Sequence, residues 1–261
     1  SSFGCVDKDG LGLTELPCLE ANGMLWVRPT VGNSFTEADV MGGLSGEFEN
    51  WLKHEHLFSE AQVIEADINW KLAIDTFGEN YHFDVLHKSS LANDIVGNLQ
   101  TWDRFERNGR MVFAGKEAFQ YLHEQEIPIE KWPYRDVTLN VYFFYPNCIF
   151  LVDRAGIDIL KMYPDPEDPA KSKTHHSYYM RPELLDHLQQ EGRNTLEESR
   201  FVGFNKIVVD EDYAAATTVQ AGAASGAQDH FVFGKNEPAL QHYHSSHREA
   251  LGLAPLEALM N

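Results

Sequence analysis

The stretch from Asp75 to His87 combines side chains that could bind a metal. It holds three carboxylates and two imidazoles, those of His82 and His87. Two neutral imidazoles and one carboxylate, with neighbouring coordination positions left open, form the facial triad that suits ferrous iron and dioxygen. On an ideal helix, positions five apart differ by about 140°, so the two rings converge only if the helix loosens or ends between them. The pair indicates a candidate metal site, and solvated or hydrogen-bonded histidines are the alternative.

A third ligand has to come from another part of the chain. Asp210-Glu211-Asp212 lies beside the apolar run Ile207-Val208-Val209, in a segment with helical character. A carboxylate next to a buried face needs a partner. An acidic cluster by itself also fits a solvated helix face, but together with the histidine pair it makes Asp212 the predicted third ligand.

The spacing of these residues resembles the iron-binding signature of the α subunits of Rieske non-haem iron ring-hydroxylating oxygenases. In that family, Asn-Trp-Lys is followed by an acidic residue six positions after the Asn, a bridging Asp or Glu, and a Tyr-His with a second His five positions on. The matching positions here are Asn69-Trp70-Lys71, Asp75, Glu79, Tyr81-His82 and His87. One departure is Asp75-Thr76, where many aromatic-ring dioxygenases have Glu-Asn, and it bears on the substrate class.

The resemblance extends over nearly the whole chain. Asp212, followed by Gln220 and Gly222, is similar to the family's third-ligand segment. Phe233-Gly234 with Glu237 resembles the family's ending, and Leu13 to Pro29 resembles the stretch that follows the Rieske domain.

The cysteines do not match a Rieske centre, which needs Cys-x-His and a later Cys-x-x-His. Neither pattern follows Cys5, Cys18 or Cys148. We therefore expect the cluster domain to be absent from this chain, with Ser1 just past it. Residues 1–33 are predicted to be a remnant of the connection and residues 34–261 the catalytic domain.

The resemblance assigns roles to the candidate residues. His82, His87 and Asp212 would hold Fe(II). Glu79 would be the carboxylate that carries electrons from a neighbouring subunit's cluster to an iron ligand, and orientation of His82 alone is the alternative. Asp75 would accept a hydrogen bond behind the iron site or lie exposed, and Tyr81 and Trp70 are expected to pack in the core.

The resemblance also implies an activity and partners. The implied reaction is hydroxylation, dihydroxylation or demethylation of an aromatic or other apolar substrate with O2, as in aromatic hydrocarbon catabolism. Electrons would come through a [2Fe-2S] cluster of the full-length protein from a ferredoxin or reductase, and the full-length protein would be a homotrimer. Pocket residues are expected from Leu91 to Met111 and from Val141 to Leu160.

The elements that position these residues follow from periodicity. Ser34 with Glu37 offers a capping box for a helix towards His54, 63–68 is a predicted strand, and a helix is predicted from Trp70 to Leu86.

Period-two alternation from Leu99 to Met180 predicts an antiparallel meander, with Asn108-Gly109 as a hairpin turn and Pro146-Asn147 as a break. Helices are predicted from Pro182, over 196–220 and over 242–251. Together these elements predict an α+β architecture, a twisted antiparallel sheet packed against a few long helices. The family resemblance implies in addition a helix-grip (Bet v 1/START-like) fold, in which a curved antiparallel sheet packs against a long C-terminal helix.

Charge and composition exclude some classes of partner. The net charge of −19, with 21 Lys and Arg against 40 Asp and Glu, repels nucleic acid and anionic membranes. No stretch resembles about 20 apolar residues that could cross a bilayer. Three cysteines make no disulfide framework, and a cytoplasmic protein is the expectation.

Two rival functions remain open on the sequence. His242, His244 and His247 could serve a metal-free or zinc-dependent hydrolase, although no carboxylate base lies in register with them. A metal-free helix-grip carrier of a hydrophobic small molecule is the second alternative.

Overall fold

The computed structural model describes Gly4, residues 10–52, residues 55–183 and residues 200–257. Contacts between residues divide the chain into two units, Ser1–Lys53 and His54–Asn261.

The first unit contains a hairpin and a short helical segment. Strands β1 (Cys18–Ala21) and β2 (Met24–Val27) pair antiparallel. Asn22 and Gly23 form their turn with positive φ, as a type I′ turn requires. Helix α1 (Glu37–Met41), a 3₁₀ turn (Gly42–Leu44) and helix α2 (Ser45–Leu52) follow.

The predicted cap of this helical segment is wrong. The capping box joins Thr36 and Asp39 rather than Ser34 and Glu37. The Glu37 carboxylate instead accepts hydrogen bonds from the Asn22 side chain and the Ser45 hydroxyl. The predicted continuous helix also breaks at Gly42, and its predicted end at His54 lies outside the described residues.

The second unit is built on a seven-stranded sheet, whose strands are β3 (Leu57–Ala66), β4 (Thr101–Phe105), β5 (Asn108–Ala114), β6 (Thr138–Phe144), β7 (Cys148–Val152), β8 (Gly156–Pro164) and β9 (Ser172–Met180). Their order in the sheet is β3-β9-β8-β7-β6-β5-β4, and every neighbouring pair is antiparallel. The predicted meander is confirmed, with helices α4 (Lys116–Glu124) and α5 (Tyr134–Val137) inserted between β5 and β6. The strand predicted over 63–68 corresponds to β3, which begins at Leu57 and ends at Ala66.

The predicted Asn108-Gly109 turn is also wrong. Phe105 pairs with Asn108, so Glu106 and Arg107 form the loop and Asn108 and Gly109 belong to β5. The glycine is needed for packing, because a Cβ at Gly109 would lie 2.0 Å from the indole of Trp102. The break at Pro146-Asn147, between β6 and β7, is confirmed.

The helix predicted from Trp70 to Leu86 is much shorter. Helix α3 spans Trp70–Asp75 and is capped by the Asn69 side chain, which accepts a hydrogen bond from the Lys71 amide. Residues 76–90 then form successive turns, and a 3₁₀ turn follows at Leu91–Asn93.

The C-terminal helices are continuous over residues 200–224. Helix α6 (Arg200–Ile207) runs into a π-helical segment (Val208–Tyr213) and then into α7 (Ala214–Ala224), four residues beyond the predicted end. The last helix, α8 (Pro238–Ala250), has Pro238 in its first turn. Residues 182 and 183 are helical, and the rest of the predicted helix from Pro182 and the predicted start at Leu196 lie outside the described residues.

Sheet and helices share one apolar core. Met111, Val141, Phe143 and Leu160 from the sheet cluster with residues of α3, the π-helical segment and α8. The predicted α+β class, an antiparallel sheet packed against helices, is confirmed. Among the described residues, no helix has both the length and the apolar character needed to span a bilayer.

Candidate metal centre

The turn segment 76–90 brings the two predicted histidines together. Buried Phe83 anchors it, with ring centroids 4.9 Å from His82, 5.2 Å from His87 and 5.7 Å from Phe113. The His87 amide donates to the Phe83 carbonyl at 3.1 Å, so the chain makes one helical turn between the histidines. Residues 76–90 thus form turns rather than a continuation of α3, and within them the two rings converge.

Three potential ligand atoms converge at this point. His82 Nε2 lies 3.1 Å from His87 Nε2, and Asp212 Oδ1 lies 3.1 Å from His87 Nε2 and 3.5 Å from His82 Nε2. Ligand atoms about 2.1 Å from an ion and about 90° apart would be about 3.0 Å from one another. In the part of the chain that the structure describes, these residues form the one cluster of three groups able to hold a metal ion.

Each histidine has a carboxylate behind its ring. Glu79 contacts His82 Nδ1, and Glu211 Oε2 lies 2.7 Å from His87 Nδ1. The Ser90 hydroxyl donates to the same Glu211 oxygen at 2.9 Å. Carboxylate partners favour the tautomer with hydrogen on Nδ1, which leaves both Nε2 lone pairs aimed into the space beside Asp212. The donor set therefore fits a divalent cation.

The electrostatics of the metal-free site agree with this geometry. Burial lowers the pKa of His82, but hydrogen bonds that the ring donates to Asp212 and Glu79 outweigh burial and raise the pKa to about 9. The pKa of His87 is raised as well, because Asp212 and Glu211 together outweigh burial and the neighbouring His82. The surrounding carboxylates thus stabilise positive charge between the two rings.

Asp75 contacts His244 rather than one of the candidate ligands. Its carboxylate oxygens are 2.9 and 3.0 Å from Nε2 of His244 on α8, and the His244 ring lies 4.8 Å from that of Phe233. The structure therefore places Asp75 beside α8, partly buried, with an imidazole that is not one of the candidate ligands.

Tyr81 is not the core residue that the sequence suggested. Its side chain is 46% exposed, and its hydroxyl donates to Glu237 Oε1 at 2.6 Å. The negative Glu237 and burial raise the pKa of the Tyr81 phenol. Trp70, by contrast, packs against the core as predicted.

A cavity of about 610 Å³ adjoins two of the three converging groups, His82 and Asp212. Its lining includes His82, Asp212, Glu79 and Tyr81, together with apolar side chains of α7 and residues 231–233. None of the predicted pocket residues from 91–111 or 141–160 lines it. Several of them, such as Met111 and Val141, fill the core between sheet and helices, so they are not available to line this cavity.

The alternative cluster on α8 is dispersed. His242 Nε2 lies 3.1 Å from the Asn108 carbonyl oxygen, His244 pairs with Asp75, and the His247 ring packs against Tyr243. Because successive positions on α8 face different neighbours, the described contacts do not support the zinc-hydrolase alternative.

Sequence reasoning missed the role of Glu211. Adjacent residues on an ideal helix differ by about 100° in direction, so the acidic triplet does not by itself place Glu211 and Asp212 at one ring. In the π-helical segment both approach His87, Glu211 at Nδ1 and Asp212 at Nε2. A π-helix cannot be identified from these residue types.

Residues 48–253 match the family described as ring hydroxylating alpha subunit (catalytic domain). The chain belongs to this family. Its residues 48–253 contain the two histidines, Asp212 and the carboxylates behind the rings. A comparison with curated proteins finds no match.

Solved structures share the fold at low sequence identity. A quaternary ammonium Rieske monooxygenase is 15% identical with a TM-score of 0.68, and the match covers 95% of this chain and 64% of that one. Naphthalene 1,2-dioxygenase from Rhodococcus sp. is 14% identical with a TM-score of 0.55, and the match covers 80% of this chain and 55% of that one. Dicamba monooxygenase is 9% identical with a TM-score of 0.52, and the match covers 91% of this chain and 70% of that one. The chain thus spans less than two thirds of the length of the first two relatives.

Proposed function

We propose that this chain is the catalytic domain of a mononuclear non-haem Fe(II) oxygenase, with His82, His87 and Asp212 as the iron ligands. The observation that carries the proposal is the convergence of two imidazole nitrogens and one carboxylate oxygen within 3.1 to 3.5 Å. A ferrous ion held there would supply the position at which dioxygen is activated beside an organic substrate.

The neighbouring carboxylates orient the ligands. Glu79 and Glu211 each hold an Nδ1 hydrogen, which fixes the ring orientation and makes the opposite nitrogen more basic. Asp212 supplies the negative charge that balances part of the charge of a divalent ion. The burial of His87 and Asp212 keeps competing water away from this side of the site.

We extend the role of Glu79 to electron transfer. Glu79 contacts His82 on one side and lines the adjoining cavity on the other. A carboxylate in that position can connect a candidate iron ligand to an electron donor outside this chain. The donor we propose is a [2Fe-2S] Rieske cluster outside this chain, reduced by a ferredoxin or reductase, with a homotrimer bringing cluster and iron site together.

The proposed substrate is an aromatic or otherwise apolar small molecule. Ala216, Val219, Leu240 and Phe233 supply apolar surface to the cavity beside the candidate ligands, which supports this class. The reaction would be hydroxylation, dihydroxylation or demethylation. We also propose a cytoplasmic location and a catalytic domain over residues 34–261, with residues 1–33 as a connection.

The test is anaerobic reconstitution with Fe(II), followed by iron analysis and EPR of the nitric-oxide adduct. We expect about one iron per chain, and loss of iron and signal in His82→Ala, His87→Ala and Asp212→Ala. His123→Ala, which removes an exposed histidine from α4, is the matched control and should bind iron like the parent.

The contrary result would be equal iron content in the parent and the three ligand variants. In that case the metal-free carrier becomes the better hypothesis, and binding of a hydrophobic dye in the cavity would be measured next. Zinc in place of iron after purification under reducing conditions would instead favour a hydrolytic site.

A further inference from the structure

Asp212 lies in a π-helical segment, which needs external support. Val208–Tyr213 is the π-helical part of the long C-terminal helix, and Asp212 is its penultimate residue. π-Helical turns are rare and occur mostly as short bulges inside α-helices, frequently at functional sites. We therefore expect contacts from outside the helix, and not only its backbone hydrogen bonds, to fix the direction of the Asp212 carboxylate.

Strand β9 provides two buried polar contacts to this helix. Thr174 Oγ1 lies 2.7 Å from the hydroxyl of Tyr213, and His176 Nδ1 lies 2.8 Å from Oδ1 of Asn205. All four side chains are at most 5% exposed. Thr174 and His176 are two residues apart on one strand, so they project from the same face of the sheet.

The His176 contact is itself held in place. His176 Nε2 lies 2.8 Å from Oδ1 of Asp158 on β8, so both ring nitrogens face protein oxygens. The side-chain amide nitrogen of Asn205 donates to the Phe201 carbonyl at 2.8 Å, which directs the side-chain oxygen of Asn205 towards His176. The ring of Phe201 stacks on the imidazole at 4.6 Å.

The two contacts bracket the proposed ligand. Asn205 lies seven residues before Asp212 and Tyr213 directly after it. One contact therefore holds the α-helical turn that leads into the π-helical segment, and the other holds its last residue. Functional constellations need placement to within about 0.5 Å, and supporting hydrogen bonds provide it.

We infer that Thr174 and His176 are positioning residues which, through Tyr213 and Asn205, set where the Asp212 carboxylate lies. This inference rests on the proposed function in that Asp212 is taken as an iron ligand. It adds that the iron site is determined partly by strand β9, whose residues are not among the proposed ligands. Removing the Thr174–Tyr213 contact should leave the fold intact and disturb the metal geometry.

The decisive variants are Tyr213→Phe, Thr174→Val and the double variant, which remove polar atoms at nearly constant volume. We expect about a tenfold weaker Fe(II) affinity in each, by anaerobic titration, and a changed line shape of the nitric-oxide EPR signal. The double variant should lose no more than either single one, since both changes break one contact. The control is Tyr178→Phe on the same strand, whose buried hydroxyl donates to the Ala155 carbonyl, and it should bind iron like the parent.

A second variant tests the other contact. Asn205→Leu removes the oxygen that faces His176 Nδ1 and should also weaken iron binding about tenfold. A matching gain in amide hydrogen exchange over residues 208–213 of the metal-free protein is expected for Tyr213→Phe and for Asn205→Leu, with no such gain in the control.

The outcomes separate the two proposals. A parent protein that binds no iron refutes the proposed function, and the exchange measurement then decides whether β9 holds the π-helical segment. A parent that binds iron, together with Tyr213→Phe and Asn205→Leu variants of unchanged affinity, EPR line shape and exchange, overturns the positioning role.

Discussion

The molecule contains two clusters built from the same residue types. In the first, His82 and His87 meet Asp212, and in the second, His176 lies between Asp158 and Asn205. Both nitrogens of His176 face protein oxygens at 2.8 Å. In the first cluster only the Nδ1 atoms have carboxylates of their own, and the two Nε2 atoms point at each other and at one shared carboxylate.

The difference lies in the unused hydrogen-bonding capacity. A histidine whose two ring nitrogens each face a protein oxygen has no nitrogen open to a metal ion, and its cluster holds the fold together. Two histidines whose Nε2 lone pairs converge leave a space that a cation would fill. The first cluster also adjoins a cavity, whereas the side chains of His176 and Asp158 are at most 1% exposed.

The largest expected difference concerns stability. Asp158→Ala leaves His176 buried without its carboxylate and should lower the free energy of unfolding by about 3–5 kcal/mol. Asp212→Ala should cost the metal-free protein less, because each histidine keeps the carboxylate at its Nδ1. Urea unfolding of the two metal-free variants measures both. Equal losses would show that the two clusters are not different in kind.

Addition of Fe(II) should raise the stability only of a protein in which the first cluster, with His82, His87 and Asp212, is complete. Free Fe(II) at about 100 times its dissociation constant should stabilise the parent by about 2.7 kcal/mol. Asp212→Ala should gain nothing, since a ligand is missing. Anaerobic thermal unfolding with and without Fe(II), and again after a chelator, makes the measurement. The comparison fails if Asp212→Ala gains as much as the parent.

A third histidine environment sharpens the contrast through pH. Burial, mainly, lowers the pKa of His247 to about 4, and Nε2 of His247 is among the buried atoms without a hydrogen-bond partner in the described structure. Between pH 4 and 6.5 the unfolded chain therefore binds more protons at His247 than the folded chain does. The stability that depends on a neutral His247 is fully present above about pH 6.5 and is lost as the pH falls towards 4.

Replacement of His247 tests this directly. Because the His247 ring is only about half buried, solvent screening reduces the effect of its pKa shift on stability, and the parent should lose on the order of 2 kcal/mol through this group over that range. His247→Phe should lose correspondingly less. Urea unfolding at a series of pH values compares the two proteins. Identical pH profiles would mean that His247 is equally protonated in the folded and unfolded states.

The smallest effect concerns a carboxylate behind a ring. Glu211→Gln keeps the size of the side chain but weakens the acceptor of the His87 Nδ1 hydrogen, and should weaken metal affinity about tenfold. Titration with Co(II) monitored by its absorption is a convenient measurement. Asp210→Asn, one residue earlier and exposed, is the matched control. Similar effects of both changes would indicate general charge rather than orientation of His87.

Much of the candidate site could be predicted from the sequence. The spacing of Glu79, His82 and His87, with a carboxylate later in the chain, identifies a donor set because ligand identity is a property of side-chain chemistry. The antiparallel sheet could be predicted as well, since alternation along a strand reflects which face is buried.

The errors occurred where distant segments meet. The helix predicted to reach Leu86 ends at Asp75, and the Asn-Gly pair read as a turn is a strand start whose glycine accommodates Trp102. The cavity lies beside α7 rather than among the predicted strand residues. Local patterns carry no information about which neighbour occupies the available space.

The sequence by itself determined the α+β class, the net negative charge and the residue types that could hold iron. Only the tertiary structure decided that Glu211 faces His87 across 124 positions of the chain, and that β9 contacts the helix on both sides of Asp212. The physical reason is that a ligand set depends on which atoms a side chain offers, whereas a site depends on the directions in which packed segments hold those atoms.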